Sequence, residues 1–177
     1  MIGDTWTNLP VEIDPPHHAK YRAFINPLFT PVAMTKLEGK IRQYAIEDVY
    51  KRQGIGTTSN VLAGALWLLA RHPAQKQLLI SNPALLDSAI EECLRYHSSG
   101  LVAFVRFATC DTDVGGTRIL KDMPVYVSPQ AAGFDPGEVE DPFRFDITRT
   151  RRTPLVFGGG IHHCIGQRLA RHILRCV

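Results

Sequence analysis

A glycine-rich segment near the end of the chain constrains its fold more than any other stretch: residues 157–166, FGGGIHHCIG. Apolar residues recur at helical spacing after it, which predicts a helix beginning at Gly166 or Gln167. Backbone N–H groups at a helix start are unpaired and carry positive dipole charge, so the sulfur of Cys164 just before them favours the thiolate form. The three glycines let the backbone approach a flat molecule closely, because no Cβ intervenes.

A thiolate in this position suits the axial site of a haem iron. The spacing Phe-x-x-Gly-x-His-x-Cys-x-Gly resembles the haem-binding loop of the cytochrome P450 family, and His162 resembles its bacterial camphor-hydroxylase group. The resemblance implies that Cys164 is the axial ligand of the iron in haem b (iron protoporphyrin IX). It also implies that Phe157, Gly158, His162 and Gly166 hold this cofactor.

Two other interpretations of the loop remain open. A glycine loop before a helix can bind phosphate, but this one lacks the Lys-Ser/Thr pair of a P-loop and the spacing of a dinucleotide fingerprint. His162, His163 and Cys164 are possible zinc ligands, although no second ligand pair stands at zinc spacing.

Glu92 and Arg95 lie three residues apart in a helix predicted over Leu85 to Tyr96, so they share one helix face. In isolation they would be a routine surface ion pair. They resemble the family's Glu-x-x-Arg helix, and Arg144 in the segment 142–145 (PFRF) resembles its meander arginine. The resemblance implies that the three form a charged, hydrogen-bonded cluster with a structural role.

Thr57 and Thr58 precede an apolar stretch, Ser59 to Ala70, which Pro73 is expected to end as a helix. The stretch resembles the distal helix that crosses over the haem. This implies a catalytic role for Thr57, aided by Thr58, in ordering water and passing protons beside bound O2. The family usually has an acid before this threonine, whereas this chain has Gly56, which implies either inefficient O–O cleavage or a relay made of water alone.

His18 and Arg22 are four residues apart after a Pro-Pro turn, so they share a helix face and can grip one anion together. A solvated basic face is the alternative. The stretch resembles the family's third helix, which implies that both residues hold a haem propionate. By the same resemblance, Arg106 and His162 complete the propionate clamp.

The segment 101–106 (LVAFVR) is apolar and rich in β-branched residues, which predicts a strand. It resembles the strand that passes the substrate pocket, which implies that Val102 and Phe104 contact substrate, although such residues more often belong to a plain core. Turn signals at 114–117, and at 121–122 within 119–127, predict further short strands, the latter segment as a hairpin. The predicted fold class is mainly α with small β-sheets, a partial cytochrome P450 fold.

Composition places the chain among ordinary globular proteins. It has 177 residues, 45% hydrophobic and 21% charged, with four cysteines in no disulfide-framework spacing. No leader pattern is visible, and the longest apolar run, Val61 to Ala70, is too short to cross a bilayer. We therefore expect a cytoplasmic protein that does not associate with membrane.

Arg168, Arg171 and Arg175 recur along the predicted last helix, which favours an acidic partner near the cysteine. A solvated face is the alternative, and no basic–aromatic pattern supports nucleic acid. The resemblance implies an acidic iron–sulfur ferredoxin that delivers electrons originating from NAD(P)H.

The order of motifs skips a large block that complete family members contain. A predicted helix, Met34 to Glu47, stops without a cap, and residues 48–53 (DVYKRQ) match neither flank. We interpret 1–47 as an N-terminal segment with the third-helix motif, 48–53 as an artefactual junction, and 54–177 as the haem-binding portion of a single incomplete domain. A genuine deletion with a tight helix–helix turn is the alternative.

The resemblance implies a monooxygenase that inserts one oxygen atom from O2 into a small apolar organic substrate such as a terpenoid. Because helices over the distal face are missing, we expect the chain itself to be inactive and to bind haem weakly or not at all. The alternative function is a non-enzymatic haem-binding or redox-sensing remnant.

Overall fold

The computed structural model describes residues 15–34, 55–98, 104–149 and 155–176. Helices make up most of this part of the chain, and two small antiparallel sheets lie between them. The prediction of a mainly helical fold with small β-sheets is confirmed. Two compact units are present: the first contains the described residues 15–34 and 158–176, and the second contains 55–98, 104–149 and 155–157.

The α-helices follow one another as α1 (His17–Ile25), α2 (Ile55–Arg71), α3 (Pro73–Ser81), α4 (Leu86–Tyr96), α5 (Pro129–Ala132) and α6 (Gln167–Cys176). Short 3-10 helices cover Asn26–Phe29, Pro83–Leu85, Leu155–Phe157 and Gly160–His162. Residues 31–34 are also helical.

Proline sets several of these boundaries, because its ring fixes φ and it lacks an N–H to donate. Pro73 is the first residue of α3, and α2 ends at Arg71, as the sequence predicted. His72 joins the two helices, and its Nδ1 lies 2.8 Å from the carbonyl oxygen of Leu68. The predicted start of the last helix at Gly166 or Gln167 is also confirmed.

The core of the second unit forms where α2 packs against α4. Its buried members come from both helices and from the segment after α5: Leu68, Ala89, Cys93, Phe145 and Ile147. Leu68 and Ile147 have no exposed surface. One long apolar helix and one amphipathic helix therefore supply most of this core.

Four short strands form two separate two-stranded sheets. β1 (Phe104–Phe107) pairs with β4 (Pro124–Val127), and β2 (Thr112–Val114) pairs with β3 (Thr117–Ile119), both antiparallel. The turn predicted at 114–117 joins β2 to β3. The hairpin predicted over 119–127 is wrong, because β3 and β4 belong to different sheets. A turn does follow β3, with Asp122 at φ 67, but it redirects the chain instead of pairing its flanks.

Some predicted features lie outside the described residues. They include most of the predicted helix from Met34 to Glu47, the junction at 48–53, and Val102. Of the helices that the structure describes, none combines the length and apolar character needed to span a membrane.

Two glycines on α2 are expected to respond to alanine in opposite directions. A Cβ on Gly64 would overlap the His97 ring, whereas one on Gly56 would meet nothing within 4 Å. Gly64→Ala should lower the free energy of unfolding by about 1–3 kcal/mol through overpacking. Gly56→Ala should raise it by about 0.5 kcal/mol through helix propensity. Urea unfolding followed by circular dichroism measures both, and equal effects would contradict the packing of His97 on α2.

Candidate haem-binding site

The cysteine loop turns sharply before α6. Gly158 and Gly160 have φ of 69° and 65°, a left-handed conformation that glycine adopts without a steric penalty. A Cβ on Gly159 or Gly160 would meet nothing within 4 Å, so this side of the loop is open. The sequence therefore places glycine where the backbone needs it and leaves space beside the loop.

Cys164 lies three residues before α6 and is exposed. The N–H of Gln167 donates to the Cys164 carbonyl oxygen at 3.4 Å. A Cβ on Gly166 would approach the Cys164 Sγ to 3.9 Å, an ordinary contact distance. The thiol thus sits at the N-terminal end of a helix and remains accessible to a ligand.

Two histidines from opposite ends of the chain meet in the same unit. The rings of His18, on α1, and His162, in the cysteine loop, have centroids 4.6 Å apart with an interplanar angle of 59°. His18 is buried, with 5% of its surface exposed. The structure thus brings together two of the four residues predicted to bind the propionates.

A cavity of about 270 Å³ lies in the first unit between α1 and the cysteine loop. Its lining includes Arg22, His163, Cys164 and Arg168. Arg22, the third predicted propionate ligand, therefore shares a cavity with the predicted iron ligand. Cys164, Arg22 and Arg168 thus line a common space.

The residues predicted to relay protons or to contact substrate, and the fourth predicted propionate ligand, belong to the second unit where the structure describes them. Thr57 and Thr58 lie in the first turn of α2, the former exposed and the latter half-buried. Arg106 lies on β1, where its Nη1 donates to the Val105 carbonyl oxygen at 2.9 Å. Phe104 is the first residue of β1, opposite Val127.

A buried ion pair holds α4 to the segment that follows α5. Arg95 Nε donates to Glu92 Oε2 at 2.7 Å, and Arg95 Nη2 donates to Glu92 Oε1 at 2.8 Å. The carbonyl oxygens that accept from the same guanidinium are those of Gly133, Pro142 and Arg144. The Asp146 N–H donates to Glu92 Oε1 at 2.9 Å. The Glu-x-x-Arg pair thus fixes a distant loop through its backbone.

The sequence predicted that Arg144 joins this cluster, but the structure places its side chain outside it. Its side chain is 63% exposed, and its Nη2 lies 3.3 Å from Asp146 Oδ2. Arg149 occupies the third position instead, with its Nε 3.5 Å from Glu92 Oε2. Arg144 contributes only its backbone carbonyl oxygen, which accepts from Arg95 and Arg149.

A turn over residues 146–149 explains this exchange of arginines. The Thr148 hydroxyl donates to Asp146 Oδ1 at 2.6 Å, and this bond is the main reason why the pKa of Asp146 is lowered. The turn directs the Arg149 side chain toward the carbonyl oxygens of Glu140 and Asp141. The sequence did not lead to Arg149 because only the segment 142–145 was compared with the family's meander. The available signal was the turn sequence Asp-x-Thr-Arg at residues 146–149.

The buried cysteine is expected to make stability sensitive to alkaline pH. Burial, and secondarily the charge of Glu92, raise the pKa of Cys93 from 9.0 to about 12. An unfolded thiol ionises at lower pH than the folded one, so this contribution to stability is lost as pH rises from 9.0 to about 12. Urea unfolding across this range should show a steeper loss for the native chain than for Cys93→Ala, and equal slopes would contradict the burial.

Comparison with known proteins identifies the family. The cytochrome P450 family model matches residues 48–177, well over half of the chain, so the chain belongs to the cytochrome P450 family. It is 42% identical over 122 residues to cytochrome P450 105C1 of a Streptomyces species, covering 69% of this chain and 32% of that protein. It is 41% identical over 119 residues to luteothin monooxygenase of Streptomyces thioluteus, covering 67% and 29%.

Solved structures agree on the fold. Cytochrome P450-153 from Novosphingobium aromaticivorans superposes with a TM-score of 0.84 at 29% identity, covering 94% of this chain and 64% of that one. The tirandamycin C-bound P450 monooxygenase TamI superposes with a TM-score of 0.86 at 23% identity, covering 93% and 66%. The chain spans about 30% of the length of the curated relatives that it matches.

The residues of the first unit fit the family's haem. A thiol is a ligand for its iron, and imidazole and guanidinium groups suit its two carboxylates. Cys164 and Arg22 line one cavity, and His18 and His162 are in contact. Among the residues that the structure describes, no group of three or more His, Cys, Asp or Glu could hold a metal ion, so the zinc interpretation gains no support.

Proposed function

We propose that this chain is part of a haem-thiolate monooxygenase that inserts one oxygen atom from O2 into a small apolar organic substrate. The observation that carries the proposal is the exposed Cys164 at the start of α6, in a cavity shared with Arg22. When bound, haem supplies the activation of O2 and the transfer of one oxygen atom to carbon.

Cys164 is the proposed iron ligand. It lies just before the N-terminus of α6, and the open glycine backbone leaves room for a flat ring beside it. Phe157, Gly158 and Gly166 are the loop residues proposed to line the cofactor. Phe157 ends the 3-10 helix that leads into the loop.

The propionates are the proposed partners of His18, Arg22 and His162, with Arg106 as a fourth ligand. The contact between the His18 and His162 rings supports a shared role, because both can donate hydrogen bonds to one carboxylate. The Arg22 guanidinium would donate charge-assisted hydrogen bonds to a propionate, which are stronger than hydrogen bonds between neutral groups. These residues would orient the cofactor and take no part in the chemistry.

Thr57 and Thr58 are the proposed proton-relay residues. Each hydroxyl can accept one hydrogen bond and donate another, which suits the ordering of a water molecule. Gly56 has no side chain to pass a proton, so a relay here would run through water. The first turn of α2 presents Thr57 to solvent, which supports exchange with water.

We propose a small apolar substrate such as a terpenoid, contacted by Val102 and Phe104. Electrons originating from NAD(P)H would arrive through an acidic iron–sulfur ferredoxin. Arg168 and Arg175 are exposed on α6 and supply positive charge there, and Arg168 lines the same cavity as Cys164. Arg171 is half-buried and donates to Gln167, so we assign it no role in docking.

The 177-residue chain by itself is expected to hold haem weakly and to lack turnover. Exposure of Cys164 and Thr57 allows water to reach both the proposed iron ligand and the proposed relay. The same exposure favours the second candidate function, a haem-binding or redox-sensing module without catalysis. The two differ in one observable, which is oxygen consumption that depends on substrate.

Titration of the full chain with haem, followed by reduction and addition of carbon monoxide, tests the proposal. We expect a thiolate-type, red-shifted Soret band that needs excess haem to develop. Absence of this band at every haem concentration, with stoichiometric zinc uptake instead, would contradict the proposal. Substrate-dependent oxygen consumption by the loaded chain would contradict the expected inactivity, and its absence would leave the module as the function of the isolated chain.

A further inference from the structure

Two side-chain hydrogen bonds connect α6 to the residue before Cys164. Arg171 Nη1 donates to Gln167 Oε1 at 2.9 Å, and Gln167 Nε2 lies 3.1 Å from His163 Nδ1. All three side chains are half-buried, and His163 also lines the cavity that Cys164 faces. Each pair is four residues apart in sequence, and the second spans Cys164.

The chemistry of the three groups fixes the direction of both bonds. Arginine can only donate, so the Gln167 oxygen must face Arg171 and its NH2 group must face His163. An NH2 group can only donate, so His163 Nδ1 must accept. The His163 proton is therefore on Nε2. The guanidinium sets the direction of the Gln167 amide, and the bond from Gln167 Nε2 to His163 Nδ1 then sets the tautomer of the ring.

Together with a backbone hydrogen bond, these bonds connect the residues on either side of Cys164 in sequence. The Gln167 N–H donates to the Cys164 carbonyl oxygen, while the Gln167 side chain holds the imidazole on the other side of the cysteine. We propose that Arg171, Gln167 and His163 form a positioning chain that holds the Cys164 loop in its ligating shape before haem binds. That the held loop binds haem iron rests on the proposed function. That the three side chains hold the loop does not.

The position of the His163 proton is the most specific test. Long-range ¹H–¹⁵N spectra of the histidine rings report which nitrogen carries it. We expect Nε2–H in the native chain and a proton on Nδ1 in Gln167→Glu, because a carboxylate can only accept from both neighbours. Arg171→Leu should give a mixture, since the amide is then free to turn over. The same His163 tautomer in all three proteins would overturn the proposed positioning chain. Loss of structure alone would not move the proton from Nε2 to Nδ1.

Amide hydrogen exchange and haem affinity test what the chain does. Gln167→Leu should speed exchange at residues 163–167 about fivefold, the equivalent of one intramolecular hydrogen bond, and weaken haem binding by a similar factor. His172→Leu is the matched control, because His172 lies on the same helix but is not part of the positioning chain. It should change neither the exchange rate nor the haem affinity. Unchanged exchange in Gln167→Leu would overturn the proposal.

The two proposals fail in different ways. Faster exchange with unchanged haem affinity would overturn the link between loop position and ligation. If the native chain forms no thiolate-type haem complex while Gln167→Leu still exchanges faster, the proposed function fails and the holding of the loop stands.

Discussion

Arg95→Leu is expected to remove a large part of the stability of the second unit. The guanidinium is 7% exposed and donates to both Glu92 oxygens and to three backbone carbonyl oxygens from residues 133–144. Its removal leaves the buried Glu92 carboxylate without its main partner, which costs about 3–5 kcal/mol. Domains of this size have about 5–15 kcal/mol in total. Urea unfolding followed by circular dichroism measures the loss.

Arg144→Leu is the matched control, and Arg149→Leu is the intermediate case. The Arg144 side chain is exposed, so its loss should cost less than about 1 kcal/mol. Arg149 is 21% exposed and donates to three backbone carbonyl oxygens, so its loss should fall between the two. If Arg144→Leu proved as costly as Arg95→Leu while Arg149→Leu were neutral, the arrangement described for this cluster would be wrong.

The helices were largely predictable because their signals are local. Pro73 separates α2 from α3, and the apolar pattern after the cysteine loop gives the start of α6 within one residue. The strands were less predictable. The segment 119–127 contains a turn between two strands, but hydrogen bonding to β1 and β2 outweighs the local hairpin pattern. Pairing of this kind depends on residues far away in sequence.

The candidate site, too, was predictable in part. Motif spacing led to Cys164, His18 and His162, and the structure brings the two histidines into contact. The choice between Arg144 and Arg149 could not be made from spacing, because a turn in the backbone decides which side chain reaches Glu92.

The chain of Arg171, Gln167 and His163 had no signal in the sequence either. Polar residues four apart on a helix are common on surfaces. Only the observed burial and donor directions set these three apart.

Cys164→Ala is expected to abolish the thiolate-type haem signature completely. Among the described residues that line the cavity, Cys164 alone has sulfur, so the variant would offer the iron no thiolate there. His18, His162 and Arg22 remain in the variant, so any haem still bound should show a nitrogen- or water-ligated spectrum. Cys93→Ala is the control: Cys93 lies in the core of the second unit, and its loss should cost about 1 kcal/mol without changing the spectrum.

The most direct measurement is the reduced, carbon monoxide-treated spectrum of the native chain, Cys164→Ala and Cys93→Ala, each with excess haem. We expect a red-shifted thiolate-type Soret band in the native chain and in Cys93→Ala, and none in Cys164→Ala. A band that survives in Cys164→Ala and disappears in Cys93→Ala would contradict this expectation, because the iron ligand would then be a different sulfur.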